Sequence, residues 1–348
     1  MSRLRRADSN APGITRRRRG TGFTYRTAGG ASISAEVRAR IEQLAIPPAW
    51  ADVWICPDEN GHLQAVGTDA AGRRQYLYHE RWRTRRDQEK FDHALEFART
   101  LPRVRAESAK HLALEGLPAE RVLACATRLF DRGFFRIGSE SYAEQNGSYG
   151  LATMKKQHAR VDGNEVVFDY VAKGGKHRIQ SIADPSVAEV VRALKRRRGG
   201  GSELLAYRTR SGWHDLRSID INEYIRELTG GLFSAKDFRT WHATVLAAVF
   251  LAQDDASRSR ASTKTSRKRA VSLAVRRVSE CLGNTPAVCR ASYIDPRVFD
   301  RFRAGQTIGE DVRNLDPEAL ARPGLQARIE RAVLDLLEDP ADELPSAA

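Results

Sequence analysis

The chain has 348 residues, of which 58 are Lys or Arg and 44 are Asp or Glu, so its formal net charge is +14 at pH 7. Hydrophobic residues make up 41% and charged residues 29%, which excludes a collagen-like repeat and a wholly disordered chain. No apolar run approaches the roughly 20 residues of a membrane-spanning helix, and the charged N-terminus does not resemble a secretory signal. The four cysteines form no CxxC pair, which argues against a disulfide framework and a zinc finger and favours a cytoplasmic location.

Positive charge is spread over the chain rather than confined to one tail. Residues 1–20 hold seven arginines and one acid, and residues 253–270 hold six basic residues and two acids. Although the stretch from residue 301 onward is acidic, the rest of the chain remains basic. A globular body of this kind favours a polyanionic partner, and nucleic acid is the predicted one. The alternative is that the charge serves solubility alone.

The N-terminal quarter divides into a basic arm and a small β-rich domain. Residues 1–20 are rich in Arg and lack hydrophobic periodicity, so we expect a disordered arm. In the domain predicted over 21–88, a short helix begins after Ser34 and ends at Pro47. Three strands separated by turn-forming residues predict a small antiparallel sheet: Val53–Cys56, Leu63–Gly67 and Gln75–Tyr78.

Residues 89–348 read as a larger, mostly α-helical domain with a small three-stranded sheet, which makes the fold class α+β. The predicted helices lie near 90–132, 186–197, 219–229, 236–252 and 268–282, with more helix up to about 338. The predicted strands are Gly150–Thr153, Val166–Val171 and Arg178–Ala183. Gly174 and Gly175 predict a tight hairpin that has Lys173 at its tip. The basic stretch 256–266 is predicted to be a mobile connection.

Five short segments distinguish this chain from an anonymous basic protein. In chain order they are Gly72-Arg-Arg-Gln-Tyr-Leu-Tyr78, Phe134-Phe-Arg-Ile-Gly138, the Lys173 hairpin, Lys236-Asp-Phe-Arg-Thr240, and Leu282-Gly-Asn-Thr-Pro286 with Tyr293 seven residues beyond. Together they resemble the poxvirus-like type IB DNA topoisomerases of bacteria, from about Pro47 to about Asp300. Each segment is weak alone, whereas five in order with compatible spacing form a specific signal.

The resemblance implies an enzyme that cleaves one DNA strand through a tyrosine, forms a 3′-phosphotyrosyl link and reseals the strand after rotation. It assigns Tyr293 as the nucleophile, Lys173 as the general acid, and Arg136 and Arg239 as the pair that neutralises the transition state. Where the viral pattern has His, this chain has Asn284, which donates a hydrogen bond but cannot titrate. Because the covalent link conserves the phosphodiester energy, we expect no ATP requirement, and we expect no obligatory metal or other cofactor.

The resemblance also implies a double-stranded DNA partner, gripped by a monomer whose two domains clamp the duplex in the cytoplasm at the nucleoid. Gln75, Tyr76 and Tyr78 match the DNA-contact segment of the N-terminal domain, and Gln side chains can read adenine edges. Tyr142 and Lys236 are further candidate DNA contacts. As an alternative, Tyr76 and Tyr78 pack on their shared strand face rather than touch DNA.

Two other functions remain open from the residues. A tyrosine recombinase uses a similar set of residues, but that family has His-x-x-Arg where this chain has Lys236-Asp-Phe-Arg239. A non-catalytic basic DNA-binding protein is the second alternative, and Tyr293 would then be an ordinary core tyrosine. Assays of supercoil relaxation and of covalent DNA trapping on Tyr293 distinguish the topoisomerase from these two alternatives.

Overall fold

The computed structural model describes residues 3–254, 263–309 and 323–338 of the chain. The chain divides into two units, Met1–Lys90 and Phe91–Ala348. Each unit has its own hydrophobic core. No helix within the described ranges combines the length and the apolarity that crossing a bilayer requires.

Five antiparallel strands form the first unit: β1 (Ile14–Arg19), β2 (Gly22–Arg26), β3 (Ala51–Ile55), β4 (Leu63–Thr68) and β5 (Arg74–Tyr78). They are ordered β2-β1-β3-β4-β5, and helix α1 (Ala35–Gln43) packs its buried Ile41 against one face. The Ser34 hydroxyl accepts a hydrogen bond from the Val37 amide and caps α1, as the sequence predicts. The three predicted strands are confirmed as β3, β4 and β5.

The expectation of a disordered arm over residues 1–20 is wrong. Arg5 already pairs with Gly61 through backbone hydrogen bonds, and Ile14–Arg19 form β1. This strand pairs with β2 on one side and with β3 on the other. The Arg16 guanidinium lies 4.2 Å from the Phe23 ring centroid and donates to the backbone oxygens of Pro47 and Trp50. Backbone pairing and this buried anchor order a segment that its charge alone predicts to be solvated.

The second unit is mostly helical, and its helices confirm the predicted fold class. They are α2 (Glu80–Leu112, which begins in the first unit), α3 (Ala119–Arg132), α4 (Glu140–Asn146), α5 (Pro185–Arg196), α6 (Ser218–Thr229), α7 (Ala235–Gln253), α8 (Lys264–Leu282), α9 (Pro286–Ser292), α10 (Pro296–Arg303) and α11 (Pro323–Glu338). Helix α7 is buried along almost its whole length and forms the centre of the core. It therefore gives a rigid base to any side chain it carries.

Two small sheets complete this unit. The strands β6 (Ala159–Asp162), β7 (Glu165–Ala172) and β8 (Lys176–Ala183) form the three-stranded sheet, and β9 (Ala206–Thr209) pairs with β10 (Gly212–Asp215). The predicted strand at Gly150–Thr153 is wrong, because Leu151–Thr153 form one 3₁₀ turn, and β6 is the third strand instead. The apolar residues of that turn are buried, which explains their strand-like composition.

The mobile connection predicted over 256–266 falls largely on residues 255–262, which lie outside the described residues. Thr263 begins the next described stretch of the chain. The Thr263 hydroxyl accepts from the Ser266 amide and caps α8, which begins at Lys264.

Candidate active site

Arg136 lies in the loop that follows α3 and reaches the end of α8. The preceding Phe135 is fully buried and fixes the loop in the core. The Arg136 backbone oxygen accepts from the Leu151 amide at 2.8 Å. Its side chain is partly buried, and Nη2 donates to the side-chain oxygen of Asn284. The structure therefore brings two of the predicted site residues into direct contact across 148 positions of sequence.

Arg239 lies on α7 with only 4% of its surface exposed. It donates through Nη1 to the Phe134 backbone oxygen and through Nη2 to the Leu282 backbone oxygen, the latter at 2.9 Å. Burial, together with the nearby charge of Arg136, lowers the pKa of Arg239 to about 10. This side chain ties the Arg136 loop and the end of α8 to the most rigid helix of the unit.

Asn284 is held by the C-terminal turn of α8. Gly283 adopts a left-handed conformation (φ 65°), which ends the helix. The backbone N–H of Asn284 donates to the backbone oxygen of Ser279 at 3.0 Å. Because Arg136 is only a donor, it engages the Asn284 oxygen and leaves the amide nitrogen Nδ2 for another acceptor. Nδ2 is buried and makes no hydrogen bond of standard geometry to a described residue, and the Asn284 side chain lies against the Cys289 thiol. The site thus holds a prepared hydrogen-bond donor.

Tyr293 follows α9 directly, and its ring centroid lies 5.5 Å from Cζ of Arg239. Burial raises the pKa of its phenol, but the charges of Arg239 and Arg136 outweigh burial and bring the pKa below its ordinary value. Thr244 on α7 fixes the backbone here, since its hydroxyl accepts from the Asp295 amide at 3.1 Å. A tyrosine in this setting forms a phenolate more readily than a free one.

Lys173 lies at the tip of the β7–β8 hairpin, as predicted. Gly174 and Gly175 have φ of 80° and 72°, so the turn uses the conformations that favour glycine. The lysine is exposed, and its ammonium lies 5.8 Å from the ring centroid of Tyr142 on α4. The structure thus brings together Lys173 and Tyr142. In the part of the chain that the structure describes, no hydrogen bond, ion pair or ring contact joins either of them to the group formed by Arg136, Arg239, Asn284 and Tyr293.

The candidate DNA contacts of the first unit separate onto two faces of β5. Tyr76 and Tyr78 are 48% and 39% exposed and stack with ring centroids 6.3 Å apart. Gln75 alternates to the opposite face, and its amide donates to Asp69 at 2.8 Å. Reading of a base by Gln75 would first have to break that hydrogen bond. In the second unit Lys236 is exposed on the first turn of α7, one turn before Arg239.

Two residues at the site escape sequence reasoning. Arg178 on β8 donates to the Cys281 backbone oxygen at 2.8 Å, so it braces the turn that carries Asn284. His242, one turn after Arg239, is buried against Phe134 with ring centroids 5.6 Å apart, and burial lowers its pKa to about 4. His242 lies three residues after Arg239 on the same helix, so the two side chains share a helix face, and this spacing could have identified His242 from the sequence. The contact of Arg178 joins residues 103 positions apart and leaves no local signal.

No group of three or more His, Cys, Asp or Glu side chains in the described ranges has the arrangement of a metal site. Four polar groups lie close together at this site. They are the guanidinium groups of Arg136 and Arg239, the side-chain amide of Asn284 and the phenol of Tyr293. Guanidinium and amide donors match the oxygens of a phosphodiester, and a phenolate is a nucleophile. The arrangement is suited to attack on a phosphate ester.

Comparisons with known proteins agree with this chemistry. Residues 79–307, about two thirds of the chain, match the family described as eukaryotic DNA topoisomerase I, catalytic core. Residues 22–69 match the family described as bacterial DNA topoisomerase IB, N-terminal domain. The chain is 27% identical to DNA topoisomerase 1B of Acanthamoeba polyphaga mimivirus over 281 residues, 80% of this chain and 83% of that protein. It is 22% identical to DNA topoisomerase I of monkeypox virus and to DNA topoisomerase 1B of vaccinia virus (strain Copenhagen), each over 68% of this chain and 72% of theirs.

Proposed function

Because the chain belongs to the DNA topoisomerase I family, in its type IB branch, we propose that it relaxes positively and negatively supercoiled DNA by transient cleavage of one strand. The substrate is duplex DNA, on which it acts as a monomer in the cytoplasm at the nucleoid. One observation carries the proposal above all others: Cζ of Arg239 lies 5.5 Å from the ring centroid of Tyr293, and the charges of Arg239 and Arg136 bring the pKa of the phenol below its ordinary value.

In the proposed reaction the Tyr293 oxygen attacks the phosphorus of a backbone phosphodiester. A bond forms between that oxygen and phosphorus, and the bond to the 5′-oxygen breaks. The phenol proton passes to solvent, and the leaving 5′-oxygen takes a proton from the Lys173 ammonium. The products are a 3′-phosphotyrosyl link and a strand with a free 5′-hydroxyl. After the strand rotates, the 5′-hydroxyl attacks the same phosphorus and releases the tyrosine. Since one phosphoester replaces another, the cycle needs no ATP.

Arg136 and Arg239 stabilise the transition state in this proposal. Negative charge grows on the non-bridging oxygens as phosphorus becomes five-coordinate, and a fixed guanidinium opposes it without reorganising. Arg239 is anchored by two backbone oxygens and Arg136 by Asn284, so both are positioned before DNA binds. Because these permanent charges perform the role that a metal ion performs elsewhere, the proposal needs no obligatory metal.

Asn284 and Lys173 complete the proposed machinery. The buried Nδ2 of Asn284 faces only the Cys289 thiol, a weak acceptor, and a non-bridging phosphate oxygen would be a stronger one. Lys173 is the proposed general acid, and it would protonate the leaving 5′-oxygen from the hairpin tip. Tyr142, beside the Lys173 ammonium, and the exposed Lys236 are proposed phosphate contacts, while Tyr76 and Tyr78 are proposed contacts of the first unit.

Relaxation of plasmid DNA tests this function. Negatively and positively supercoiled plasmids are incubated separately in EDTA without ATP, with the wild-type protein and with Tyr293→Phe. The proposal predicts that the wild-type protein relaxes both plasmids and that the variant binds DNA but relaxes neither. Binding without relaxation by the wild-type protein would contradict it and would favour the recombinase or the inert binder.

A further inference from the structure

The second unit contains a cavity of about 380 Å³ that the proposed function does not use. It lies among the end of α3, the middle of α7, the end of α8, the β7–β8 hairpin and α11. Glu165 is partly exposed and Ser181 and Ala183 are exposed, so these residues mark its opening. None of the four residues grouped at the candidate active site lines it. Its volume lies in the range of about 300–1,000 Å³ that is typical of ligand sites.

Much of the cavity wall is apolar and part of it is aromatic. Phe134, Val245, Leu246 and Ile329 form the apolar part. The Phe134 ring meets the ring of His242 edge-on, with centroids 5.6 Å apart and an angle of 88° between the planes. Aromatic rings prefer such edge-to-face and offset contacts with further rings. The wall therefore favours a flat aromatic ligand.

The buried charged side chains of the wall already have partners. The carboxylates of Asp131 and Glu330 both accept from Arg105, each at 2.7 Å. Arg132 lies 3.3 Å from the Asp184 carboxylate. The remaining acid of the wall lies at the opening, where solvent screens it. A charged ligand would enter without a free buried counter-ion, which is costly, so the wall favours an uncharged ligand.

His242 adds a buried polar group whose hydrogen-bonding capacity is only partly used. It is 7% exposed, and burial lowers its pKa to about 4, so the ring is neutral at pH 7. The ring lies against the Asp131 backbone oxygen, and no hydrogen bond of standard geometry engages the buried Nδ1 within the described ranges. A neutral imidazole has one donor and one acceptor nitrogen. With the donor directed to Asp131, an acceptor is left for an N–H or O–H group of a ligand.

We propose that this cavity binds a small, uncharged aromatic molecule that carries one hydrogen-bond donor, and that this donor pairs with His242. The inference goes beyond the proposed function and does not depend on it. The ligand would pack on Phe134 and Cys281, whose backbone oxygens accept from Arg239 and Arg178. It would therefore contact the residues that hold these two arginines, away from the place proposed for the phosphate.

Indole and benzofuran are matched probes of this site, because they share one bicyclic shape and only indole carries an N–H donor. Cys281 reports occupancy: it lines the cavity and is partly exposed, whereas the other three cysteines of the chain are buried. Alkylation of each cysteine by iodoacetamide is followed by mass spectrometry at increasing probe concentration. Indole is expected to protect Cys281 with a dissociation constant on the order of 1 mM or below. Benzofuran is expected to bind about fivefold more weakly, because the His242 acceptor stays unpaired.

Three variants, each measured with and without probe, locate the bound indole. Ala183→Trp places a ring in the opening and is expected to weaken indole binding at least tenfold. Ile179→Trp is its control, since Ile179 lies on the same face of β8, is 64% exposed and does not line the cavity. This control is expected to bind indole as the wild-type protein does. His242→Phe keeps a ring but removes the acceptor, so it is expected to bind indole and benzofuran equally.

Thermal unfolding shows whether each variant is folded, and either Ala183→Trp or His242→Phe is sufficient for the comparison. Absence of Cys281 protection up to about 10 mM indole would overturn the inference. Protection that Ala183→Trp leaves intact would do so too, as would a preference for indole that survives His242→Phe. A DNA duplex is expected to leave the indole affinity within about twofold. Competition between the two would place indole at the candidate active site and reject the cavity, whether or not the protein relaxes DNA.

Discussion

Arg178 on β8 donates a hydrogen bond of 2.8 Å to the backbone oxygen of Cys281 at the end of α8. The hairpin that presents Lys173 and the turn that presents Asn284 are thus joined by one guanidinium group. A Cβ at Gly283 would overlap Nη1 of Arg178, so the two groups are in close contact. Arg178 therefore acts as a positioning residue, which fixes the place of the proposed donor Asn284.

We predict that Arg178→Ala lowers the rate of single-turnover DNA cleavage by up to about 100-fold, because small displacements of positioned groups cost that much. DNA affinity is expected to stay within about threefold, since the hydrogen bonds of Arg178 go to Gln180 and to the Cys281 backbone oxygen. Gly283→Ala is expected to lower the rate as well, and the double variant is expected to be less impaired than the product of the two effects. A cleavage rate within twofold of wild type for Arg178→Ala would contradict the positioning role.

Asn284 gives a prediction about pH dependence. An amide does not titrate, so cleavage by the wild-type protein is expected to lack a transition near pH 6.5 that arises from this position. Asn284→His is expected to introduce one, with activity dependent on the charge of the new imidazole. The measurement is the single-turnover cleavage rate from pH 5 to 9 for both proteins. Identical profiles would count against a role for Asn284 at the phosphate.

The phenol of Tyr293 is expected to titrate below 10 in the protein without DNA, because the charges of Arg239 and Arg136 stabilise its phenolate despite burial. Removal of one positive charge in Arg136→Gln should raise its pKa. NMR of protein labelled at the tyrosine ring carbons measures this, and Tyr293→Phe identifies the signal. Tyr170 is an internal control, since burial raises its pKa above the ordinary value. A Tyr293 pKa unchanged by Arg136→Gln would contradict the coupling.

His242 links the stability of the second unit to pH. Burial lowers its pKa to about 4, whereas in the unfolded chain the value is about 6.5. Between these values only the unfolded state binds the proton, so the free energy of unfolding falls as the pH drops from about 6.5 to 4. The loss is roughly 3 kcal/mol for this group.

We predict that His242→Gln has a flatter dependence of unfolding free energy on pH across this window than the wild-type protein. Urea denaturation at pH 4.5, 5.5 and 7 measures it. Asp131 and Glu330 nearby are present in both proteins, so the difference between the two curves reports on the histidine and its interaction with them. Parallel curves would mean that His242 is not kept neutral by burial.

Local sequence patterns predicted most of the helices and strands. The elements that they missed depend on contacts between residues distant in sequence. The helices and strands around the candidate site follow from hydrophobic periodicity, caps and paired glycines, and the hairpin placed Lys173 correctly. The strand β1 was missed because its run of arginines is typical of a solvated segment. It is ordered by its backbone pairing with β2 and β3. Gln75 was grouped with Tyr76, although strand alternation already assigns them to opposite faces.

The site itself was accessible to sequence reasoning only through residues that occur in short motifs. Arg136, Arg239, Asn284 and Tyr293 stand in such motifs, and the structure brings them together. The contact of Arg178 and the burial of Asn284 Nδ2 depend on how the end of α8 meets β8, which no local pattern encodes.

Covalent capture of DNA tests the central claim most directly. The wild-type protein is mixed with duplex DNA, quenched with detergent during turnover, digested with nuclease and protease, and analysed by mass spectrometry. The account predicts a nucleotide attached through its 3′-phosphate to the peptide that contains Tyr293, and no adduct with Tyr293→Phe. An adduct on another residue, or none from a wild-type protein that binds DNA, would contradict it.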